Sequence, residues 1–173
     1  IGIKYGMSTT GSGSSPITYD HAGNSAMPMA MRRIRRLWPM AYSKLLSLKW
    51  EASTSVPYGA TDGRRLILNP IGLDNLMRTS NPIGYLAFLL VHESLHAMLN
   101  HGTRLHKFSD HRTANVAADY IINALIKKAN TRAMNEHNLQ RPPFPFIAGV
   151  LLDDTLDDDV SVEQLYQKLM ADK

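Results

Sequence analysis

Residues 82–102 read PIGYLAFLLVHESLHAMLNHG, and this stretch decides the fold because it places His-Glu-x-x-His inside an apolar run with helical periodicity. Asn81 followed by Pro82 is typical of a helix start, and Gly102 is typical of a helix end. Between these signals the residues are apolar on most of the helix circumference, as in a central buried helix. We therefore predict a buried helix over residues 82–102.

The His-Glu-x-x-His motif predicts a metal site on this helix. His92 and His96 lie one turn apart, roughly 40° round the axis, so their imidazoles can converge on one ion. Glu93 lies beside them, where a carboxylate can act on a metal-bound water without ligating the metal. The alternative, two ordinary histidines on a partly buried helix, leaves three polar side chains buried without a partner. A divalent cation is the simplest single partner for all three.

A second predicted helix offers a third ligand. Ser109-Asp110 is an N-cap signal, and residues 112–128 have helical periodicity. Polar residues recur along this apolar helix at i, i+4 and i+8, namely Asn115, Asp119 and Asn123. Either these side chains form satisfied hydrogen bonds in the core, or Asp119 is the third protein ligand that a catalytic zinc site requires.

Three histidines compete with Asp119 for this third position. His101 follows His96 by five residues, about 140° round an unbroken helix, and no glycine precedes it to break the helix. His101 is therefore predicted to face away from the motif histidines. His106 and His111 lie in or beside the connecting segment and remain alternatives. We rank Asp119 first and His101 second.

The composition limits the class of protein. The 173 residues are 44% hydrophobic and 20% charged, which is typical of one soluble globular domain. Because cysteine is absent, any metal ligand must be His or carboxylate. The formal charge of +4 is mild, so nucleic acid is not an expected partner. No apolar run reaches the ~20 residues that cross a bilayer, and no signal-peptide pattern opens the chain, so no membrane association and a cytoplasmic location are expected.

The first part of the chain divides into an arm and a long helical stretch. Residues 1–27 include a segment rich in Ser, Thr and Gly, and we interpret them as a flexible arm ahead of one domain over residues 28–173. Residues 29–50 have a helical period that Pro39 kinks or divides. This stretch carries a basic cluster, which we interpret as a solvated helix face rather than a contact for phosphate or an acidic partner: Arg32, Arg33, Arg35 and Arg36.

Turn chemistry predicts a small hairpin beside the motif helix. Residues 52–56 and 64–68 have β character and flank an Asp62-Gly63 turn. Residues 72–79 are predicted to form a short helix or turn that leads into the motif helix. An edge strand in this position could pair with the extended backbone of a substrate.

The last part of the chain is predicted to form a connector, a turn and a helix. The proline-rich residues 141–146 are interpreted as a rigid surface loop. The aspartates of residues 153–159 lack the glycine and the glutamate of an EF-hand loop, which favours a solvated acidic turn. Ser161 and Gln164 form a capping-box pattern that opens a final amphipathic helix.

Several blocks, taken in order, resemble a known family. The resemblance covers roughly residues 28–170 and lies in TDGRRLILNP at 61–70, HESLH at 92–96 with His101 and Arg104, NVAADYIIN at 115–123, and the closing segments at 149–152 and 161–166. The chain resembles the zinc metallopeptidase (zincin-like) domain that is often found ahead of a von Willebrand factor A-like domain. This resemblance implies a zincin-like fold. It also implies Glu93 as general base and, as zinc ligands, His92, His96 and Asp119.

The sequence therefore predicts a helix-dominated α+β domain that binds Zn²⁺ and hydrolyses a protein or peptide substrate. Zinc would polarise the scissile carbonyl and lower the pKa of its water toward about 7, while Glu93 takes the proton and delivers it to the leaving amine. The oxyanion-stabilising residue is left open among Tyr58, Tyr120 and His101. The alternative function is a catalytically silent zinc-containing protein-binding module, in which a fourth protein ligand closes the metal site.

Overall fold

The computed structural model describes residues 5–6, 18–19 and 26–173. The described part of the chain is helix-dominated and includes a small three-stranded sheet, which is compatible with the predicted α+β class. Its helices are α1 (Ala26–Leu37), α2 (Pro39–Ser47), α3 (Pro70–Met77), α4 (Pro82–Met98), α5 (His101–Arg104), α6 (His111–His137) and α7 (Val162–Ala171). Its strands are β1 (Tyr5–Gly6), β2 (Thr18–Tyr19), β3 (Lys49–Ala52), β4 (Gly59–Thr61) and β5 (Arg65–Leu68).

The predicted flexible arm over residues 1–27 lies mostly outside the described residues. Within it, β1 pairs antiparallel with β2. Helix α1 begins at Ala26, two residues before the predicted domain start. In the described part of the chain, none of the helices combines the length and the hydropathy that crossing a bilayer requires.

Helix α4 is the centre of the fold, as predicted. It begins where the Asn81 Oδ1 accepts a hydrogen bond from the Gly84 amide at 3.1 Å, with Pro82 at the first helical position. Eleven of its 17 residues are buried, and it packs against α1, α2, α3, α6 and β4. This burial explains why the motif helix is apolar on most of its circumference.

The end of α4 differs from the prediction. The helix stops at Met98 rather than continuing to Gly102, because Asn100 adopts a left-handed conformation with φ 56°. Asparagine tolerates this region better than other residues that carry a Cβ. The backbone carbonyl of Asn100 then accepts hydrogen bonds from the amides of Thr103 and Arg104, so that the chain restarts as the short helix α5.

The first helical stretch is divided at Pro39, as predicted, but it ends earlier than residue 50. Leu48 is already extended, and residues 49–52 form β3 instead of a last helical turn. The Lys49 amide donates to the Arg64 carbonyl at 2.9 Å, and the Trp50 indole donates to the Leu45 carbonyl at 2.8 Å. Pairing with a distant strand therefore outweighs the local helical period.

The sheet has the order β3-β5-β4, with β3 parallel and β4 antiparallel to β5. The Asp62-Gly63 turn is confirmed: Gly63 has φ 91°, and the Asp62 carboxylate accepts from the Arg64 and Arg65 amides. The predicted first strand over residues 52–56 is wrong, since the strand that pairs with β5 across this turn is β4. A tight turn at residues 62–63 requires its partner strand to end at Thr61, directly before the turn.

Helix α6 crosses beside α4 and is longer than predicted. It begins at the expected cap, where the Asp110 Oδ1 accepts from the Thr113 amide at 3.0 Å, and it runs to His137. The buried Asn130 forms two hydrogen bonds with the Phe144 backbone and thereby holds the proline-rich connector. Helix α7 opens with the predicted capping box and packs against α6.

Candidate metal centre

A cleft of about 770 Å³ opens between β4, α4, α6 and the segment 147–151. The floor of the cleft carries the motif residues His92, Glu93 and His96 from α4, and Asp119 faces them from α6. The contact between α4 and α6 therefore brings together residues that are more than twenty positions apart in sequence.

Three ligand atoms converge in this cleft. The Nε2 atoms of His92 and His96 lie 3.1 Å apart, and the Asp119 Oδ1 lies 3.3 Å from the first and 2.9 Å from the second. Bonds of about 2.0–2.1 Å to a tetrahedral ion place its ligand atoms about 3.3 Å from one another. The spacing of the three atoms therefore fits a divalent ion that all three residues could hold.

The orientation of His92 is set by Asn123. The Asn123 amide nitrogen donates to the Leu151 carbonyl at 2.7 Å, which leaves its Oδ1 to accept from the His92 Nδ1 at 2.9 Å. A neutral His92 that donates through Nδ1 has a lone pair on Nε2, directed toward Asp119 and His96. This is the pattern of a metal-binding histidine whose second nitrogen is held by a protein acceptor.

His96 is oriented in the same way by a second histidine. Its Nδ1 lies 3.1 Å from the Nδ1 of His101, whose side chain is buried with 2% of its surface exposed. If the His96 Nε2 keeps a lone pair for an ion, its Nδ1 carries the proton and donates to His101. Burial, with the nearby charges of His96 and Arg104, lowers the pKa of His101 to about 4, so His101 is neutral near pH 7 and can accept this bond.

The prediction that His101 faces away was wrong. It assumed an unbroken helix, whereas the left-handed Asn100 ends α4 and turns His101 back toward His96. His101 nevertheless approaches the Nδ1 of His96 rather than the Nε2, and among the described residues the group that could hold an ion consists of His92, His96 and Asp119. The break in the helix thus places His101 next to the candidate metal ligands, where it contacts the Nδ1 of His96 and leaves the Nε2 of His96 free for an ion.

The charges of the site favour a cation. Burial acts to raise the pKa of Asp119, but hydrogen bonds from His92 and His96 outweigh it and hold the pKa well below its usual range. Burial acts to lower the pKa of His92, yet Asp119, Glu93 and Asn123 together raise it. Asp119 therefore stays ionised. The imidazole of His92 is stabilised when it binds a positive charge, which either a proton or a metal ion can supply.

Glu93 lies next to the three ligand atoms without being one of them. Its side chain is buried, and it forms no hydrogen bond with any described residue. Burial raises its pKa, while the positive charges of His92 and His96 act in the opposite direction. A buried carboxyl group with a raised pKa, beside a candidate metal site and facing a cleft, is suited to taking and returning a proton.

Of the other candidate residues from the sequence, three line the cleft and one, Tyr120, lies in a separate apolar cluster. Tyr58 lines the cleft, as do His106 and His111, which contact each other with ring centroids 6.1 Å apart. Tyr120 packs instead against the smaller apolar cluster around Phe108 and Tyr166. Among the three residues considered for oxyanion stabilisation, Tyr58 is thus the one that lines the cleft without a hydrogen bond to a metal-ligand candidate.

Asn123 and His101 were both named as candidate residues from the sequence, but the contacts that they make with His92 and His96 were not predicted. The polar stripe on α6 contained Asn123, but its bond to His92 depends on the contact between α4 and α6 and on the Leu151 carbonyl. The helix break before His101 had a local signal, because Asn100 is the residue type that most often replaces glycine in a left-handed helix end.

The role of His101 can be tested by metal affinity. We expect His101→Leu, which removes the acceptor at similar volume, to weaken zinc binding by about 10- to 100-fold. His101→Asn, which restores an acceptor oxygen near the position of Nδ1, should recover part of this loss. His106→Leu is the matched control, since His106 lines the same cleft without a hydrogen bond or ring contact to His92 or His96. Competition with a chromogenic chelator measures all three, and equal losses in the Leu and Asn variants would reduce His101 to a packing role.

Comparison with known proteins agrees with this geometry. Residues 24–173 match the family model described as "Putative metallopeptidase domain". No curated protein and no solved structure matches the chain in the same comparisons. The family match includes every helix from α1 to α7 and all four residues of the candidate site, and it implies a metal cofactor. The chain therefore belongs to this metallopeptidase-domain family.

Proposed function

We propose that this chain is a zinc-dependent peptidase of the His-Glu-x-x-His type with a zincin-like fold. His92, His96 and Asp119 would hold the zinc, and Glu93 would act as the general base. The observation that carries the proposal is the arrangement of the cleft: three ligand atoms lie 2.9–3.3 Å from one another, and a buried glutamate adjoins them without joining them.

Zinc supplies Lewis-acid chemistry when bound, since it polarises a carbonyl oxygen and lowers the pKa of water. The protein positions the proton transfers. Glu93 would take a proton from the attacking water as the new C–O bond forms, and it would then return that proton to the amide nitrogen, so that the C–N bond breaks and a neutral amine leaves. The burial that raises the pKa of Glu93 brings it nearer to neutral pH, where a group can both accept and donate a proton.

The β4 strand gives the cleft a surface for an extended peptide. It lies at the edge of its sheet, where β5 pairs with one side and none of the other described strands pairs with the other side. Gly59, Ala60 and Thr61 of β4 also line the cleft that contains His92 and Glu93. A substrate backbone that hydrogen-bonds to this edge would pass beside the candidate metal site, which supports a peptide as the substrate.

The number of ligands favours a peptidase over a catalytically silent zinc-containing protein-binding module. A structural zinc site is closed by four protein ligands, whereas a catalytic site has three and an open position. The described residues offer three His or carboxylate ligand atoms within 4.8 Å of one another. All three residues line the cleft, through which water and substrate would have access.

A peptide-library digest tests the proposed activity. We expect zinc-loaded protein to cleave a subset of an unbiased library, to lose this activity on chelator treatment and to regain it when zinc is restored. Mass spectrometry of the products also gives the preference at each subsite. Glu93→Gln purified in parallel reports any contaminating protease. Products that persist after chelation, or that also appear with Glu93→Gln, would contradict the proposal.

A further inference from the structure

A second cleft, of about 630 Å³, lies at the N-terminal end of α4. Its walls come from α1, from the residues that begin α4 and from the segment that follows α6. Its polar lining consists mainly of Arg32, Arg33, Arg36, Arg141, Ser80 and Asn81. The start of α4 precedes His92 by ten residues, or about 15 Å along the helix, so this cleft is separate from the candidate metal site.

The charged side chains that line this cleft are all positive. Four guanidinium groups line it, and no acidic side chain of the described residues does so. Three arginines elsewhere pair with carboxylates: Arg65, Arg78 and Arg104 pair with Asp62, Asp74 and Glu163. None of the four cleft arginines forms an ion pair with a described residue, although 14 of the 15 acidic residues lie between positions 26 and 173. Within the described part of the chain, the positive charge of the cleft is therefore uncompensated, which favours an anion.

One of these arginines, Arg33, is held in place by a hydrogen bond. The Arg33 Nη1 donates to the Pro143 carbonyl at 2.8 Å, which ties the proline-rich connector to α1 and brings Arg141 beside the arginines of that helix. Arg32 and Arg36 lie one helical turn apart on α1 and face the same cleft. The N-terminus of α4 adds the positive end of a helix dipole. Arg32 and Arg36 are exposed, in agreement with the solvated helix face interpreted from the sequence, and Arg141 joins them from the segment that follows α6.

We propose that this cleft binds a compact oligophosphate, an anion with two or more linked phosphate groups such as pyrophosphate or the phosphate end of a nucleotide. Guanidinium groups bind phosphate oxygens through paired hydrogen bonds, which few other side chains provide. An oligophosphate places several negative charges within the small volume that four arginines surround, whereas a single carboxylate brings one. The concave shape suits such an anion better than the convex backbone of a nucleic-acid duplex.

Isothermal titration of the zinc-loaded protein with pyrophosphate tests this proposal. The Arg32→Gln/Arg36→Gln double variant should bind about a hundredfold more weakly than wild type, because a hydrogen bond to a charged group contributes about tenfold for each arginine. Arg35→Gln is the matched control: Arg35 lies on the same helix and carries the same charge but does not line the cleft. It should bind like wild type. Removal of zinc by pyrophosphate would affect all these proteins alike, so the difference between variants reports the cleft alone.

One further variant and three further ligands test whether the same cleft binds the phosphate groups and which class of ligand carries them. Arg141→Gln should weaken pyrophosphate binding about tenfold from a different segment of the chain, without altering α1. A nucleoside diphosphate that binds more tightly than pyrophosphate, with the same dependence on Arg32 and Arg36, would identify a nucleotide as the ligand class. Equal binding by the double variant and Arg35→Gln would overturn the proposal, as would tighter, cleft-dependent binding of a DNA duplex or of an oligoglutamate peptide. None of these outcomes bears on the peptidase activity.

Discussion

Replacing Glu93 with Gln is expected to abolish peptide hydrolysis while zinc remains bound. Glutamine preserves the volume of the buried side chain but cannot take a proton from water. Proton transfer by a positioned side chain contributes about 10²–10⁴-fold to a rate, so kcat should fall by at least that amount. Since Glu93 is not among the three ligand atoms, zinc affinity should change little.

The two readouts of this variant distinguish the possible roles of Glu93. Peptide turnover and zinc content are measured on the same preparation, and Glu136→Gln serves as the control because it makes the same change at an exposed position. The Glu93 side chain forms no hydrogen bond with a described residue, and burial disfavours its charged form, so the variant should unfold at a temperature no lower than wild type. Loss of zinc from Glu93→Gln would make Glu93 a ligand, and retained turnover would remove it from the reaction.

Asp119→Ala is expected to lower zinc affinity by orders of magnitude. The variant loses a carboxylate that lies within 3.3 Å of the Nε2 atoms of both His92 and His96, and with it a negative charge that would offset the ion. Because zinc binds the folded state, stability should fall as well. A ligand present at about 1,000 times its Kd stabilises a protein by about 4 kcal/mol, and the variant should lose most of this zinc-dependent term.

Asn115→Ala is the matched control for Asp119→Ala. Asn115 lies one turn earlier on α6 and lines the same cleft, but it forms no hydrogen bond with His92 or His96. Chelator competition and thermal unfolding, each with and without zinc, should separate the two variants clearly. If Asp119→Ala keeps wild-type affinity while His101→Leu loses it, the third ligand is His101 and the assignment must be reversed.

Local sequence signals were sufficient for the elements that carry the site. Asn81-Pro82 fixes the start of α4, and Asp110 fixes the start of α6, through caps that each depend on neighbouring residues alone. The phase of each helix then follows from its period. This is why the convergence of His92 and His96 could be predicted. Asp119 was ranked first because an ionised carboxylate on an apolar helix requires a partner, whereas the argument from helix phase against His101 failed at Asn100.

Features that depend on distant contacts were harder to predict. The strand β4 is Gly-Ala-Thr, which has little β propensity, and it forms because the turn at residues 62–63 directs it against β5. Residues 49–50 continue the helical period of α2, yet pairing with β5 makes them a strand. The position of Arg141 beside α1 likewise depends on the bond from Arg33 to the Pro143 carbonyl, between residues 110 positions apart.

The helix break before His101 has a local sequence signal, but that signal alone does not predict it. An asparagine at the end of a helical run can terminate it by adopting positive φ, and Asn100 does so. The chain length from His96 to His101 then allows the two rings to meet with centroids 5.2 Å apart. The sequence contained the residue that permits this turn, but an asparagine also occurs inside helices, so only the packed structure shows which conformation it takes.

Anomalous X-ray diffraction at the zinc absorption edge, from crystals of the zinc-loaded protein, would locate the metal itself. We expect one strong peak per chain, about 2.0–2.2 Å from the Nε2 atoms of His92 and His96 and from an Asp119 oxygen, with the remaining position free of protein ligands. A peak at another site, or a peak whose fourth position is closed by a protein side chain, would contradict it.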